Sequence, residues 1–264
     1  MKQQRDSIPE LVWNGNISVE VHQKENSLTY LANLPRHSYF AQILEDLKQL
    51  FAPKAALEEC WLSSGKASIK WHWPVGVLYD LLSLKDPEST TALPVLWHLD
   101  FHVGSFPSSL VVPMGSMETF RSCFFNALKE SDYVRNGSSS LVIALSKPET
   151  DSYWNSLLNH DFYDYRPIAT KLFASKSRII PLKFYLGADA PIVQTSASLG
   201  YTLGHVLHKQ LPEFFPSDVS CSLLKPVLQG IVLPLSISTD LMNRDFCYPD
   251  GFLHIVLIPI SIQG

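Results

Sequence analysis

The sequence predicts an α+β fold of three parts, in which a helix-rich segment separates two segments that form sheets. Near both ends of the chain, apolar residues alternate with polar ones, which is the period of a half-buried strand. Between residues 116 and 172, apolar residues recur instead at helical spacing. The chain has 264 residues, more than a usual single domain, so two or three compact parts are expected.

The first part predicts a hairpin, a helix, a strand, a short helix and a closing strand. Val19 and Val21 share one face of the first strand, and Leu44 and Leu47 share one face of the helix. The predicted positions are 17–21 and 28–34 for the hairpin, 40–51 for the helix, 67–71 for the strand, 75–83 for the short helix and 99–103 for the closing strand. This order of elements is that of a ubiquitin-like β-grasp.

The last part predicts the same order of elements without residue-level identity to the first. Strands are predicted at 180–186 and 192–193, a helix near 201–211, a strand at 227–233, a short polar segment at 236–243 and a final strand at 252–258. The repeat is therefore one of architecture. An unrelated α+β domain is the alternative interpretation of this part.

The middle part is predicted to be a small helical module. Ser116 is the predicted N-cap of a first helix, whose apolar face includes Phe120, Phe124 and Leu128. The segment 136–140, Asn-Gly-Ser-Ser-Ser, interrupts this helix and leaves its length open. Further helical faces are predicted at 141–145 and 153–158.

Composition favours a cytosolic protein with protein partners. The formal charge of −4 and the pI near 6.1 provide no general attraction to nucleic acid or to anionic lipid. The cysteines are far apart, and residues 1–6 include no apolar signal region, which is typical of the reducing cytosol. The longest apolar run, 252–262, is much shorter than the roughly 20 residues that span a bilayer, so membrane contact is expected to be peripheral.

Four segments, spread over almost the whole chain, resemble the signatures of one family. They are Val12-Trp13-Asn14-Gly15-Asn16-Ile17, Leu34-Pro35-Arg36-His37-Ser38-Tyr39, the run from Lys70 to Leu82 and Tyr248-Pro249-Asp250-Gly251-Phe252-Leu253-His254-Ile255. In the third, Trp71 and Trp73 are predicted to share one face of a strand, which Pro74 ends before the short helix begins. Together they resemble the autophagy-related protein 5 family.

This resemblance implies a chain of two ubiquitin-like domains that flank a helix-rich domain, in agreement with the patterning. The expected limits are 8–107 for the first ubiquitin-like domain, 113–174 for the helix-rich domain and 177–264 for the second ubiquitin-like domain.

The resemblance also identifies a lysine. In the family, a lysine on the first helix of the central domain accepts an isopeptide bond from the C-terminal glycine of autophagy-related protein 12. The family's motif, hydrophobic-Lys-Glu-small-Asp, matches Leu128-Lys129-Glu130-Ser131-Asp132, which implies that Lys129 is the acceptor. At ~100° per residue, Lys129 lies about 120° from the apolar stripe, so its amine is expected to be exposed. An ordinary solvated lysine is the alternative.

Partners and function follow from the same resemblance. Joined to autophagy-related protein 12, the chain is expected to act as an E3-like factor that promotes transfer of autophagy-related protein 8 from its conjugating enzyme to phosphatidylethanolamine. An amphipathic helix of autophagy-related protein 16 is expected in a groove among the three domains. The chain would then be cytoplasmic, and peripheral at the pre-autophagosomal structure or isolation membrane.

Direct lipid contact is predicted only for one weak basic cluster, whose alternative is a solvated helix end. Its members are Arg166, Lys171, Lys176 and Arg178. The aromatic residues Trp13, Trp73, Trp97, Phe214 and Phe215 are either core residues or part of the partner groove.

No catalytic residue, metal or cofactor is expected, because no nucleophile elbow or zinc-protease helix is present. His205 and His208 have helical i, i+3 spacing but no carboxylate or cysteine at a familiar ligand distance. His98 and His102 would be roughly 13 Å apart along a strand, too far for one ion.

Two other functions are alternatives: an interaction scaffold without covalent conjugation, and a modifier activated through Gly264. The apolar strand that continues almost to Gly264 argues against the modifier, because modifiers usually carry a flexible polar tail.

Overall fold

Each end of the chain folds into a five-stranded mixed sheet, and a group of helices connects the two sheets. The computed structural model describes residues 7–24, 27–83, 96–173, 178–217 and 222–260. The first part consists of α1 (Ile8–Trp13), β1 (Asn16–His22), β2 (Thr29–Pro35), α2 (Ala41–Phe51), β3 (Cys60–Ser64), β4 (Ala67–Ser68), α3 (Val75–Ser83) and β5 (Trp97–Val103). A 3-10 turn, Leu57–Glu59, precedes β3.

The remaining elements form the helical part and the last part. The helical part consists of α4 (Met117–Asn136), α5 (Ser140–Ile143), α6 (Lys147–Leu158) and α7 (Phe162–Phe173). The last part consists of β6 (Ile179–Tyr185), β7 (Val193–Ser198), α8 (Leu203–Gln210), β8 (Leu224–Leu228), β9 (Ile231–Val232), α9 (Thr239–Asp245) and β10 (Leu253–Pro259).

The two sheets have the same topology. Their strand orders are β2-β1-β5-β3-β4 and β7-β6-β10-β8-β9. In each sheet the first and last strands of the part run parallel, β1 beside β5 and β6 beside β10, while the other neighbours are antiparallel. This is the β-grasp arrangement, with the long helix packed across the sheet. The predicted architecture of two ubiquitin-like folds flanking helices is confirmed.

The core of the first grasp follows from the strand period. Val19 and Val21 on β1 are fully buried, and so is Leu47 on the facing helix α2. The polar side chains that alternate with these valines, Ser18, Glu20 and His22, point to the other face of the sheet, because side chains alternate along a strand. The first sheet therefore has one packed face and one face open to solvent.

The prediction for the third strand is wrong. The strand is β3, which pairs with β5, whereas the segment 67–71 supplies only the short β4. Trp71 lies in a turn in which the Trp73 N–H donates to the Lys70 carbonyl over 2.8 Å. The two tryptophans therefore do not share a strand face. Both are buried, and Trp73 packs edge-on against Tyr185 of the last part, with ring centroids 4.9 Å apart.

Two further predictions for the last part need correction. The segment 227–233 is not one strand, because Gln229 and Gly230, with φ of 54° and 78°, form a turn between β8 and β9. The polar segment 236–243 contains most of α9, whose N-cap is Ser238. Both elements are too short for hydrophobic periodicity to reveal them.

The structure gives the length of the first helix of the helical part, which the sequence left open. Ser116 accepts a hydrogen bond from the Thr119 N–H and is the N-cap of α4, as predicted. Gly137, with φ of 73°, is the left-handed C-cap, so α4 is a continuous helix of 20 residues. Among the described residues, no helix combines the length and apolar character needed to cross a membrane.

A buried ion pair within the first part also contacts the last part. Asp80 on α3 is 1% exposed and pairs with Arg36. The Gly230 N–H donates to the other Asp80 oxygen over 3.0 Å. A Cβ on Gly230 would lie 2.9 Å from the Arg36 guanidinium carbon, so the turn requires glycine there. Burial raises the pKa of Asp80, and the charge of Arg36 opposes that rise.

Asp80→Asn should lower the free energy of unfolding by about 3–5 kcal/mol, because it leaves the Arg36 charge buried without its carboxylate. Equilibrium unfolding in urea measures the change. Glu45→Gln, at the partly exposed Lys48–Glu45 pair, is the control and should change stability by at most about 1 kcal/mol. An equally small change for Asp80→Asn would contradict the assigned role.

Candidate functional site

Lys129 lies on the exposed face of α4. Leu128, the preceding residue of the motif, is fully buried in the core, so the helix presents its next residue to solvent. The exposure expected from the helical period is therefore present. The remaining three residues of the motif each make a contact that holds α4 in place.

Glu130 connects α4 to the second sheet. Its carboxylate accepts a hydrogen bond from the Gln194 side chain on β7 over 3.0 Å and lies 3.7 Å from the Lys183 ammonium on β6. Glu130 is half-exposed, so solvent weakens these charge contacts. They nevertheless fix which side of the helix faces the sheet, and with it the direction of the neighbouring Lys129.

Ser131 occupies a position where only a small residue fits. It is 1% exposed, and its hydroxyl donates to the Leu128 carbonyl over 2.8 Å. Gly251, with φ of 84°, lies directly against it, and a Cβ on Gly251 would overlap the Ser131 hydroxyl. The small residue of the motif and the glycine of the Tyr-Pro-Asp-Gly segment are therefore two halves of one contact between helix and loop.

Asp132 caps the following helix. Its Oδ2 accepts hydrogen bonds from the Leu141 and Val142 N–H groups over 2.9 and 3.1 Å, and its Oδ1 accepts from the Asn136 side chain over 2.8 Å. The carboxylate thus compensates the open N–H groups at the start of α5. Asp132 joins the end of α4 to α5 and closes the turn that the Gly-Ser segment makes.

Arg135 extends the contact between α4 and the last part. It is 1% exposed and donates to the Gly251 carbonyl over 2.9 Å and to the Asn243 side chain on α9 over 2.7 Å. A buried guanidinium that makes directed hydrogen bonds restricts the helix against both rotation and sliding. Arg135 was not predicted as a contact residue, because its partners lie on a segment distant in the sequence.

The Tyr-Pro-Asp-Gly segment is itself fixed by a buried chain of hydrogen bonds. Asp250 lies 2.8 Å from His254 Nε2, and His254 Nδ1 lies 2.7 Å from the Tyr185 hydroxyl. All three are nearly fully buried. Burial opposes ionisation of Asp250, but the contacts with His254, the charge of Lys183 and the Phe252 N–H together lower its pKa. Burial raises the pKa of Tyr185, which keeps its proton. This series of hydrogen bonds holds the segment and β10 against β6.

A groove opens where the three parts of the chain meet. Its cavity has a volume of about 230 Å³. The first part contributes Pro9, Val12, Trp13 and His37; the helical part contributes Phe162, Tyr165, Arg166, Ala169, Thr170 and Phe173; the last part contributes Gln229, Asn243, Arg244, Asp245, Cys247 and Pro249. The wall from α9 was not foreseen, because that helix was not predicted.

Stacked rings form the floor of the groove. The Trp13 ring lies 3.8 Å from His37 and 4.2 Å from Tyr165, centroid to centroid, at angles of 26° and 25°. The Trp13 indole N–H donates to the His160 carbonyl over 3.2 Å. Burial, and then the neighbouring His160, hold the pKa of His37 well below its usual range. The floor is therefore aromatic and uncharged at neutral pH, while Arg244 and Asp245 form an ion pair at the wall.

The residues predicted to form a lipid-facing cluster have different surroundings. Arg166 lines the groove, and Lys171 pairs with Glu149 over 2.7 Å. Five residues along α7 correspond to a rotation of about 140°, so these two side chains leave the helix in different directions. Arg178 is exposed just before β6, and Lys176 lies outside the described residues.

The histidines and aromatic residues considered in the sequence analysis make contacts with other side chains or with the backbone. His208 Nδ1 lies 2.8 Å from the Phe215 carbonyl, and His205 stacks on Tyr201. His102 contacts Ser63 over 2.9 Å. Of the five aromatics, Trp13, Trp73, Trp97 and Phe215 are buried and Phe214 is half-buried. Trp13 is both a core residue and part of the groove. Gly264 lies outside the described residues.

Comparison with known proteins gives matches along nearly the whole chain. Three family models match in chain order: "Autophagy protein ATG5, UblA domain" at residues 12–103, "Autophagy protein ATG5, alpha-helical bundle region" at 117–175 and "Autophagy protein ATG5, UblB domain" at 179–257. The crystal structure of Kluyveromyces marxianus Atg5 has the same fold, with a TM-score of 0.80 at 22% identity, over 94% of this chain and 98% of that one.

Full-length relatives agree with these matches. Autophagy protein 5 of Phaeosphaeria nodorum is 29% identical over 297 residues, covering 94% of this chain and 96% of the relative. Autophagy protein 5 of Pichia angusta is 29% identical over 267 residues, covering 92% and 93%. Because the family models together match most of the chain and follow its three parts, the chain belongs to the autophagy-related protein 5 family, whose members function in autophagy.

Proposed function

We propose that the chain accepts autophagy-related protein 12 on Lys129 through an isopeptide bond. The observation that supports this assignment is the contrast within the motif. Leu128, Ser131 and Asp132 are buried and the half-exposed Glu130 contacts the second sheet, while Lys129 extends into solvent from a helix that its neighbours hold in place. An acceptor amine needs such access, and a rigid position keeps it in reach of the incoming carbonyl.

The chain acts in this step as substrate and not as catalyst. The Lys129 amine attacks the thioester carbonyl at the C-terminal glycine of the modifier, the C–N bond forms, and the conjugating enzyme's thiolate leaves. Lysine side chains are mostly protonated at neutral pH, so the delivering enzyme must remove the amine's proton. Glu130 follows Lys129 in the sequence, but its carboxylate contacts Gln194 and Lys183. We therefore do not assign Glu130 the role of the base that removes this proton.

The groove among the three parts is proposed to receive the amphipathic helix of autophagy-related protein 16. Its aromatic, uncharged floor suits the apolar face of a helix with residues at i, i+3 and i+4. The Arg244–Asp245 pair at the wall offers partners for polar residues on the rim of that helix. Because all three parts of the chain contribute to the groove, such a helix would also stabilise their relative arrangement.

The assembled conjugate is proposed to act as an E3-like factor. It would promote transfer of autophagy-related protein 8 from its conjugating enzyme to phosphatidylethanolamine during autophagosome formation. The chain would be cytoplasmic and would reach the isolation membrane mainly through autophagy-related protein 16. A pure scaffold without covalent attachment remains distinguishable, because it would use the groove but not Lys129.

Lys129→Arg should abolish the conjugate and leave the fold unchanged, because a guanidinium keeps the positive charge but cannot deprotonate usefully. A reconstituted reaction followed by intact mass measures the adduct. Lys147→Arg, at another exposed lysine of the helical part, is the control and should conjugate as the wild type does. An adduct on the Lys129→Arg chain would reject the acceptor, and no adduct even on the wild type would favour the scaffold.

Thr170→Trp should weaken binding of the autophagy-related protein 16 helix by about 10-fold or more, equivalent to ~1.4 kcal/mol, because an indole fills part of the groove. Thr170 is exposed, so the fold should tolerate the change. Thr170→Val is the matched control, since it keeps the size and loses only the hydroxyl bond to the Arg166 carbonyl. Calorimetric titration with the helix as a peptide measures both. Equal affinities for the two variants would place the helix elsewhere.

Direct lipid binding should be weak and electrostatic. Flotation of the chain with vesicles of rising anionic lipid content should show binding that declines with added salt. Replacing both Lys171 and Arg178 with Gln should reduce it, whereas Lys147→Gln should not. Flotation that depends on neither lipid charge nor salt would eliminate the basic cluster.

A further inference from the structure

We propose that Glu20, His22 and His98, on the solvent face of the first sheet, form a binding site for Zn²⁺. A carboxylate oxygen of Glu20 and ring nitrogens of His22 and His98 all lie within 4.8 Å of one another. Two imidazoles and one carboxylate are a common zinc ligand set, with water in the fourth position.

The distances suit a tetrahedral ion. His22 Nε2 lies 3.2 Å from Glu20 Oε2, and His98 Nδ1 lies 2.5 Å from the same oxygen. Zinc bonds of about 2.0–2.1 Å at tetrahedral angles place ligand atoms roughly 3.3 Å apart. The His22–Glu20 separation already has this value. The His98 ring must move outward by less than 1 Å, and its side chain is 68% exposed and able to do so.

The backbone holds the three ligands together. Glu20 and His98 are register partners on the parallel strands β1 and β5, and Glu20 and His22 are two residues apart on one strand. All three side chains therefore lie on one face. The opposite face carries Val19, Val21 and Leu99 in the core, so the strands beneath the site are fixed.

Surrounding groups favour a bound cation. The Thr29 hydroxyl lies 3.2 Å from His22 Nδ1, which directs Nε2 toward Glu20 in the manner of an outer partner of a metal ligand. Asp100, the register partner of His22, adds a further negative side chain on the same face.

Zinc should bind the tag-free chain of 264 residues at one equivalent, measured in competition with a chromophoric chelator. Co²⁺ in place of Zn²⁺ should give the visible absorption of a tetrahedral site. His98→Gln and His22→Gln should each weaken binding by more than the roughly 10–100-fold typical for loss of an outer partner, and Thr29→Val by about 10-fold. Because zinc binds the folded state, it should raise the melting temperature of the wild type and not of His98→Gln.

His102→Gln is the matched control, since His102 lies on the same strand as His98 but contacts Ser63 instead. It should bind zinc as the wild type does. Circular dichroism before titration confirms that each variant is folded. Zinc affinity that is the same in the wild type, His22→Gln and His98→Gln, or a wild type that binds no more zinc than a variant lacking both histidines, would overturn the site.

Discussion

The contact between Ser131 and Gly251 is the constraint on which the rest of the arrangement depends. A helix and a loop from parts distant in the sequence approach until neither has room for another methyl group. Arg135 strengthens the contact by donating a hydrogen bond to the Gly251 carbonyl. The buried hydrogen bonds from Asp250 through His254 to Tyr185 hold the loop against the second sheet. The helix α4 therefore has one position relative to the second sheet, and Lys129, the proposed acceptor, lies on its exposed face.

The same loop connects α4 to the groove. Pro249 lines the groove, its carbonyl accepts the Tyr153 hydroxyl over 2.6 Å, and two residues later Gly251 supports α4. The loop that shapes the groove wall is thus continuous with the loop that supports Lys129. A ligand bound in the groove would contact the loop at Pro249, and the same loop contacts α4 through Gly251. The groove and the helix that carries Lys129 are therefore connected by only three residues of one loop.

The long periodic elements were predictable from sequence, while the short ones and the assembled surfaces were not. The alternation in β1 and the stripe in α2 reflect single packed faces, which a pattern along the chain reveals. The short strand β4, the turn at Gly230 and α9 are too short for a periodic pattern to reveal them. Lys129 was found through its motif, but the groove needs three parts of the chain. The cluster of Glu20 and His98 needs the parallel pairing of β1 with β5, which spacing within one strand cannot show.

The parallel pairing of β1 with β5 also bears on how the protein is made. The first strand to leave the ribosome pairs with the final strand of its sheet, so the central pair cannot close until nearly all of that grasp has been synthesised. Contacts of such sequence separation are slow to form. Until then the edge of β1 that pairs with β5 has open backbone N–H and C=O groups, and the nascent chain is a candidate for chaperone protection. The second grasp repeats the requirement with β6 and β10.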